Sequence, residues 1–207
     1  MKIGVLALQG AFAEHINLLR RLGVEAVEVR LPQELADLDG LIIPGGESTT
    51  IGKLAELYGL MAPLQQFAQE KPVWGTCAGM IFMAKDIGRQ QPLLGLMDVV
   101  VERNAFGRQV DSFEVDLDIP ALNGLNGHAP FPAVFIRAPR LVSANEAAGA
   151  TVLARLADGT PVAAQQGHWL ITSFHPELTD DLRLHHYFVN MVAAALAAAP
   201  PKAVATG

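Results

Sequence analysis

The chain has 207 residues and a mass of 22.1 kDa, which is the size of one large domain. Its composition is 51% hydrophobic and 17% charged, so it can bury a core, and disorder of the whole chain is excluded. A formal net charge of −6 at pH 7 argues against a nucleic-acid partner, because phosphates are bound by a basic face. The single cysteine excludes an internal disulfide and a Cys-rich zinc site.

The sequence contains no recognisable targeting or membrane-spanning segment. Polar Gln9, Glu14 and His15 follow the first apolar run where a signal peptide would have its cleavage site. The most apolar stretch, residues 191–199, is far shorter than the roughly 20 residues that span a bilayer. We therefore expect a cytoplasmic protein with no membrane partner.

In the first half of the chain, apolar runs alternate with segments of helical periodicity. The pattern predicts strands over 2–8, 26–29, 41–43 and 73–75, and helices over 12–21, 48–58, 61–69 and from about 80 to 85. Ser48 or Thr49 is expected to cap the second helix. Strand–helix units of this length predict a parallel sheet with right-handed crossovers.

The second half of the chain is richer in short strands. Strands are predicted over 99–101, 113–117, 133–136, 141–143, 152–156, 162–165 and 169–174, with a hairpin turn at Asp158-Gly159. We expect them to extend one side of the sheet in a mixed or antiparallel fashion, before a long helix over 179–199. The fold class is thus α/β, a single-domain three-layer sandwich with a mostly parallel central sheet. The domain is expected over 1–199, with a disordered tail at 200–207.

Cys77 occupies the sharpest local feature, the segment GTCAG at 75–79. This segment lies between a short apolar strand and a helix, and its small residues suit a nucleophile elbow, in which neighbouring backbone approaches closely. The turn places the side chain at the carboxyl edge of the sheet, where open α/β folds carry their sites. The alternative is that a lone cysteine in an apolar chain is only a small buried hydrophobe.

His175 and Glu177 follow a late apolar strand and supply what a thiol nucleophile needs. In an extended segment, residues two apart face the same way, and Pro176 favours that conformation. A nucleophilic thiol requires a base to take its proton and a carboxylate to fix the tautomer of that base. Because both segments end predicted strands, they favour a Cys-His-Glu triad over a solvated turn.

Three further segments are candidates for substrate contacts. Gly45-Gly46 forms a strand-to-helix turn whose N–H groups could complete an oxyanion hole with that of Ala78, although such a turn is most often only a turn. Arg103 and Arg137 lie at strand ends, where a guanidinium can clamp a carboxylate.

The remaining histidines, His15, His128, His168, His185 and His186, show no ligand-like spacing, so we expect surface or packing roles and no metal site.

These motifs resemble a known family. GTCAG at 75–79, PGGEST at 44–49 and SFHPEL at 173–178 are similar to the class I, triad-type glutamine amidotransferases, whose architecture is flavodoxin-like. Within them, LALQGAFAEH at 6–15, VVERNAFGRQVDSFE at 100–114 and VFIRAP at 134–139 resemble the glutaminase subunits of pyridoxal 5′-phosphate synthase. The likeness runs from Lys2 to the final helix, with a variable loop at 123–128 and no departure at a motif position.

The resemblance implies a role for each site residue. It makes Cys77 the nucleophile, His175 the general base and acid, and Glu177 its orienting partner. The same likeness puts Gln9 near a partner interface and implies no cofactor. It implies that the oxyanion hole includes Gly46 and Ala78, and that L-glutamine is bound by Gly46, Glu47, Ser48, Arg103, Ile136 and Arg137.

The resemblance also implies a partner. Such subunits release ammonia from glutamine and pass it to a (β/α)₈-barrel synthase subunit, and they are weak glutaminases alone, which would fit a Gly46 peptide that turns only on docking. Since this chain has no phosphate-cradling Gly-rich loop with a Lys, the consuming site must lie on another protein. The alternatives are a glutaminase serving another synthase, such as imidazole glycerol phosphate synthase, a cysteine peptidase or redox chaperone of the same architecture, or a silent binding subunit.

Overall fold

The computed structural model describes residues 1–103, 112–125 and 129–199. Within these ranges the chain forms five α-helices and twelve strands, joined by short turns and single turns of 3₁₀-helix. The helices are α1 (Phe12–Arg21), α2 (Ser48–Leu57), α3 (Met61–Glu70), α4 (Ala78–Met83) and α5 (Arg183–Ala198). The strands are β1 (Lys2–Leu6), β2 (Glu25–Val29), β3 (Gly40–Ile43), β4 (Val73–Thr76), β5 (Ala84–Asp86), β6 (Met97–Glu102), β7 (Ser112–Leu117), β8 (Phe131–Ile136), β9 (Arg140–Ala144), β10 (Ala150–Arg155), β11 (Pro161–Gln166) and β12 (Trp169–Thr172).

The main sheet has seven strands in the order β10-β11-β12-β4-β3-β1-β2. The five strands from β12 to β2 run parallel. Strand–helix units in the first half return β1 to β4 in the same direction, and β12 from the second half pairs parallel with β4. Strands β11 and β10 add an antiparallel edge beside β12. The mostly parallel central sheet predicted from the sequence is therefore confirmed.

Side chains alternate between the two faces of this sheet and so create two cores. Val73 and Ile43 point to one face, where they pack with helices α2, α3 and α4. Trp74 and Ile42 point to the other face, where they pack with α1 and α5. Both faces of the sheet are thus covered by helices, which gives the three-layer arrangement expected from continuous apolar strands.

The second half of the chain departs from the prediction in one respect. Only β10, β11 and β12 join the main sheet, whereas β5, β6 and β9 form a separate three-stranded sheet and β7 pairs with β8 alone. The small sheet packs on the α2–α4 face and the β7–β8 ribbon on the α1–α5 face, because each has only one apolar side to bury. The expectation that all seven strands extend one side of the sheet is wrong.

Several predicted boundaries also differ from the structure; strand β1, for example, ends at Leu6 rather than at residue 8. Helix α5 begins at Arg183 rather than 179, after a 3₁₀ turn over Pro176–Leu178 and a bend. Helix α4 ends at Met83, where β5 begins. The cap of α2 is neither Ser48 nor Thr49 but Glu47, whose carboxylate accepts the N–H groups of the next helical turn. The predicted tail at 200–207 lies outside the described residues, so the domain boundary at 199 stays a prediction.

The parallel strands place their carboxyl ends along one edge of the sheet. Strands β1, β3, β4 and β12 run side by side, and the segments that follow them therefore meet at that edge. These segments carry Gln9, the Gly45-Gly46 turn, Cys77 and His175. No helix in the described part of the chain is long and apolar enough to cross a membrane.

Gly79 lets helix α4 lie directly against the end of β3. A Cβ at this position would overlap the carbonyl oxygen of Ile43. We expect Gly79→Ala to lower the free energy of unfolding by at least about 3 kcal/mol, because backbone must move to admit the methyl group. The control is Gly23→Ala, whose added Cβ meets nothing within 4 Å and is opposed only by a φ of +74°, a cost of about 1–2 kcal/mol. Urea unfolding measures both, and equal losses would contradict the close approach.

Candidate active site

Cys77 sits in a strained turn between β4 and α4. Its φ of 48° and ψ of −102° lie in a region that side chains rarely adopt, and among the described non-glycine residues only Arg137 shares a positive φ. The Cys77 N–H donates to the carbonyl of Thr172 on β12 at 2.8 Å, which fixes the turn against the neighbouring strand. Such strain costs roughly 1–3 kcal/mol and persists where the surroundings impose it, as at functional sites. The elbow predicted from the sequence is therefore confirmed as a backbone conformation.

His175 is fixed from both sides. Its backbone N–H donates to the carbonyl of Val134 on β8 at 2.7 Å, and its ring Nδ1 lies 2.7 Å from Oε1 of Glu177. The Glu177 side chain is fully buried, whereas the His175 side chain is 11% exposed toward the sheet edge. The imidazole is thus held with Nδ1 on the carboxylate, which leaves Nε2 for chemistry.

The structure brings His175 against Cys77. A Cβ built on Gly45 would overlap Cε1 of His175 and would lie 3.4 Å from Cβ of Cys77, so the bare glycine makes room for both. Burial acts to lower the pKa of His175, but its hydrogen bonds to Cys77 and to Glu177, and the charges of both groups, raise that pKa to about 10. At neutral pH the imidazole therefore carries a proton beside the thiol.

A cavity of about 280 Å³ opens beside Cys77 and His175. This volume is near the small end of ligand pockets, roughly 300 Å³, and suits an amino acid rather than a folded peptide. Every predicted site residue except Glu177, which lies behind His175, lines this cavity. The remaining predicted residues on its wall are Gln9, Gly46, Glu47, Ser48, Ala78, Arg103, Ile136 and Arg137, to which the structure adds Ile81 and Pro139.

Glu47 organises the polar wall of the cavity. Its carboxylate accepts the backbone N–H groups of Thr49 and Thr50 and the hydroxyl of Thr50, at 3.1, 2.7 and 2.8 Å. Arg103 donates to the same carboxylate at 2.8 Å and also to Thr49 Oγ1 and Gln91 Oε1. Burial acts to raise the pKa of Glu47, but these hydrogen bonds lower it to about 2. The wall therefore presents a fixed carboxylate next to a fixed guanidinium.

Gln9 touches the Gly46 turn directly. Its Oε1 accepts the N–H of Glu47 at 2.6 Å, and a Cβ on Gly46 would overlap the same oxygen. Gln9 is thus in direct contact with the turn that bears the predicted oxyanion donor.

Comparisons with known proteins identify the family. A family model described as the SNO glutamine amidotransferase family matches residues 5–194. The chain belongs to this family. It is similar to proteins named pyridoxal 5′-phosphate synthase subunit PdxT from Herpetosiphon aurantiacus and Dehalococcoides mccartyi. The first is 57% identical over 196 residues, covering 92% of this chain and 100% of that protein; the second is 58% identical over 195 residues, covering 92% and 97%.

Solved structures agree with that membership. A structure described as a glutamine amidotransferase is 51% identical, has a TM-score of 0.85 and covers 92% of this chain and 98% of its own. A putative GMP synthase subunit from Thermoplasma acidophilum, 19% identical with a TM-score of 0.69, covers 95% and 96% and shows the fold alone. The predicted fold class, that of the class I glutamine amidotransferases, is confirmed, and so is the assignment of the chain to the amidotransferase enzymes.

Two histidines that the sequence patterns did not connect with the site lie next to the predicted triad. His15 and His185, expected to have surface or packing roles, are fully buried, and Nε2 of His15 lies 3.4 Å from Oε2 of Glu177. The one sequence feature that connects His15 with the site is its position at the end of the LALQGAFAEH motif. His128 and residues 104–111 of the central motif lie outside the described residues. Among those described, no cluster of three or more His, Cys, Asp or Glu side chains is placed to hold a metal ion.

The raised pKa of His175 can be measured directly. We expect NMR titration to find this imidazole still protonated near pH 8, because its pKa of about 10 lies well above the ordinary 6.5. Glu177→Gln should lower that pKa, since the variant loses the charge of the carboxylate. The folded-state pKa is raised, so this proton's contribution to stability is full below pH 6.5 and is lost as pH rises toward 10. A ring that titrates near pH 6.5 in both proteins would contradict the arrangement.

Proposed function

We propose that this amidotransferase hydrolyses L-glutamine to L-glutamate and ammonia at Cys77, and delivers the ammonia to a partner subunit that makes pyridoxal 5′-phosphate. The observation that carries the proposal is the strained Cys77 elbow next to a protonated, carboxylate-held His175 at the wall of an amino-acid-sized cavity. Family membership and the names of the relatives support the substrate and the product.

The first half-reaction forms a thioester. The Cys77 thiolate attacks the side-chain carboxamide carbon of glutamine, and the carbonyl electrons move to oxygen. Backbone N–H groups of Ala78 and of the Gly46 turn are proposed to stabilise that oxyanion. The His175 imidazolium gives its proton to the departing nitrogen, so the C–N bond breaks and ammonia leaves.

The second half-reaction restores the enzyme. Neutral His175 takes a proton from water, and the resulting hydroxide attacks the γ-glutamyl thioester. The C–S bond then breaks, glutamate leaves and the thiolate–imidazolium pair is regenerated. Glu177 holds Nδ1 throughout, so that Nε2 faces Cys77 and the substrate in both steps.

Recognition of glutamine requires groups for its α-carboxylate and its α-ammonium. Arg103 and Arg137 line the cavity and supply cations suited to a carboxylate, and Glu47 supplies the anion suited to an ammonium. Ser48 and Ile136 complete the wall. A peptide-bound glutamine lacks both free groups and should be rejected.

Ammonia must travel to its user without meeting bulk water, in which it is protonated and loses its nucleophilicity. We propose that the user is a (β/α)₈-barrel synthase subunit, which joins the ammonia with a pentose phosphate and a triose phosphate. Gln9 is proposed to lie near that interface and to couple docking to the Gly46 turn, which it contacts through Glu47 N–H.

A reconstitution assay tests the whole proposal. The protein is mixed with a pyridoxal 5′-phosphate synthase subunit, the two sugar phosphates and either glutamine or an ammonium salt. Cys77→Ala should abolish product formation from glutamine, by a factor of about 10³ or more, because the thioester cannot form. Product formation from ammonium should be unchanged.

The control is the thermal stability of the variant, and two results would speak against the proposal or its partner. The variant must retain the unfolding temperature of the wild type, which shows that Cys77 is not structural. Loss of product from both glutamine and ammonium would contradict the proposal. Recovery of a histidine-pathway cyclase, rather than this synthase, from a cell extract would assign the glutaminase to a different partner.

Docking should also activate the glutaminase. We expect a higher kcat for glutamine hydrolysis with the synthase subunit than without it, because the Gly46 turn reaches its productive orientation only in the complex. Gln9→Ala should reduce this activation, since the contact with the Glu47 N–H is lost. Steady-state glutamate release, measured with and without the partner, tests both expectations. Equal kcat values for the free and docked wild type would overturn the coupling.

A further inference from the structure

A buried polar cluster lies behind Glu177, on the side away from Cys77. It consists of His15 on α1, Thr76 at the end of β4 and His185 on α5, and each of the three is 0% exposed. Trp74 packs against both imidazoles, with ring centroids at 5.7 Å from His15 and 5.0 Å from His185. Three elements thus converge to enclose polar groups that the proposed mechanism does not use.

The cluster makes a short chain of contacts that ends on the triad carboxylate. Nδ1 of His15 lies 2.9 Å from Nε2 of His185, and Nε2 of His15 lies 3.3 Å from Thr76 Oγ1. The same Nε2 is 3.4 Å from Oε2 of Glu177, the carboxylate oxygen that His175 does not engage. Among the described residues Oε2 accepts no hydrogen bond, so its contact with Nε2 of His15 is a close approach without hydrogen-bond geometry.

The tautomers of the two imidazoles follow from the atoms that lack partners. Nδ1 of His185 is buried and has no hydrogen bond among the described residues. A buried N–H without an acceptor is costly, so His185 carries its proton on Nε2 and donates it to Nδ1 of His15. His15 must then carry its own proton on Nε2, which faces Thr76 and Glu177. The reverse assignment would strand an N–H on His185 and turn a lone pair toward a carboxylate.

Neither His15 nor His185 carries a positive charge that could replace that of His175 beside Glu177. Burial, and then the charges of His185 and His175, lower the pKa of His15 well below its ordinary value. Burial alone lowers the pKa of His185 to about 3. Both rings are therefore neutral at physiological pH, and His15 offers the carboxylate an N–H dipole rather than a second positive charge.

We propose that His15 is a positioning residue of the reaction, which holds Glu177 through Oε2 so that Oε1 stays on Nδ1 of His175, and that His185 sets the tautomer of His15. The proposal rests on the proposed function, because it concerns the same triad. A buried carboxylate bound at one oxygen only can rotate about its terminal torsion. The positive end of the His15 N–H dipole, whose Nε2 contacts Thr76 Oγ1 at 3.3 Å and lies 3.4 Å from Oε2, opposes that rotation electrostatically. Four successive side chains, those of His175, Glu177, His15 and His185, then position the thiol of Cys77, rather than the first two alone.

Two isosteric variants separate a donor role from packing. The carboxamide nitrogen of Gln reaches the place of an imidazole Nε2, whereas that of Asn reaches only the place of Nδ1. His15→Gln therefore keeps a donor toward Glu177, and His15→Asn removes it while leaving a polar group toward His185. In the complex with the synthase subunit, His15→Asn should lower kcat for glutamine hydrolysis about tenfold with an unchanged KM, and His15→Gln should restore most of it.

A second readout does not depend on glutaminase activity. Cys77 is the chain's only cysteine, so the pH dependence of its alkylation by iodoacetamide reports the thiolate–imidazolium pair alone. We expect the pH midpoint of alkylation to rise in His15→Asn and to stay at the wild-type value in His15→Gln. His185→Asn, which frees the tautomer of His15, should shift it in the same direction and serves if His15→Asn does not fold.

The outcomes distinguish the two proposals. Wild-type protein that hydrolyses no glutamine with its partner would defeat the proposed function, yet the alkylation profiles would still decide the role of His15. Equal losses in the Gln and Asn variants, effects on KM alone, or unchanged alkylation midpoints in folded variants would overturn the positioning role. Thermal unfolding of each variant shows which proteins are folded.

Discussion

A buried carboxylate is the constraint on which the site depends. The Glu177 side chain is fully enclosed, and a charge removed from water is tolerated only where other groups replace the lost hydration. His175 does so at Oε1 across 2.7 Å, and its proton is retained to a pKa of about 10 because the carboxylate and the thiol both favour the charged ring. The buried Glu177 thus helps to keep His175 protonated beside Cys77.

The order of the strands explains how a site with a buried carboxylate can still be open to a substrate. Strands β4 and β12 are parallel neighbours, so Cys77 and His175 emerge at the same edge although 98 residues separate them. The two small sheets pack on opposite faces, and each sends an arginine to the cavity, Arg103 after β6 and Arg137 after β8. The central sheet therefore carries the predicted triad and Glu47, and the peripheral strands add two cations to the wall of the cavity.

Local patterns predicted most of the elements, but not all of their pairings. Helical periodicity located α1, α2 and α3 within one or two residues, because an amphipathic stripe is a property of the segment itself. Which strand a short apolar run pairs with depends on distant residues, and for this reason the separate β5-β6-β9 and β7-β8 sheets were not foreseen. The motifs indicate the residues that line the cavity, whereas they do not predict the contact between His15 and Glu177, because a histidine on the buried face of a helix looks the same whether or not a carboxylate lies behind it.

The position of Gln9 suits the proposed coupling of the site to a second protein. The triad is fixed by core contacts that no docking event needs to change, since Glu177 and His15 are enclosed. The Gly46 turn, in contrast, is held by hydrogen bonds with the segment after β1: the Ala11 N–H donates to the Gly45 carbonyl at 3.2 Å, and the Oε1 of Gln9 accepts the N–H of Glu47 at 2.6 Å. Glu47 in turn caps α2 and binds Arg103, so hydrogen bonds connect Gln9 both to the turn with the predicted oxyanion donor and to an arginine that is proposed to bind the substrate carboxylate. Under the proposed coupling, a docked partner acts on the Gly46 turn rather than on Cys77, and glutamine hydrolysis then depends on the presence of a protein that can use the ammonia.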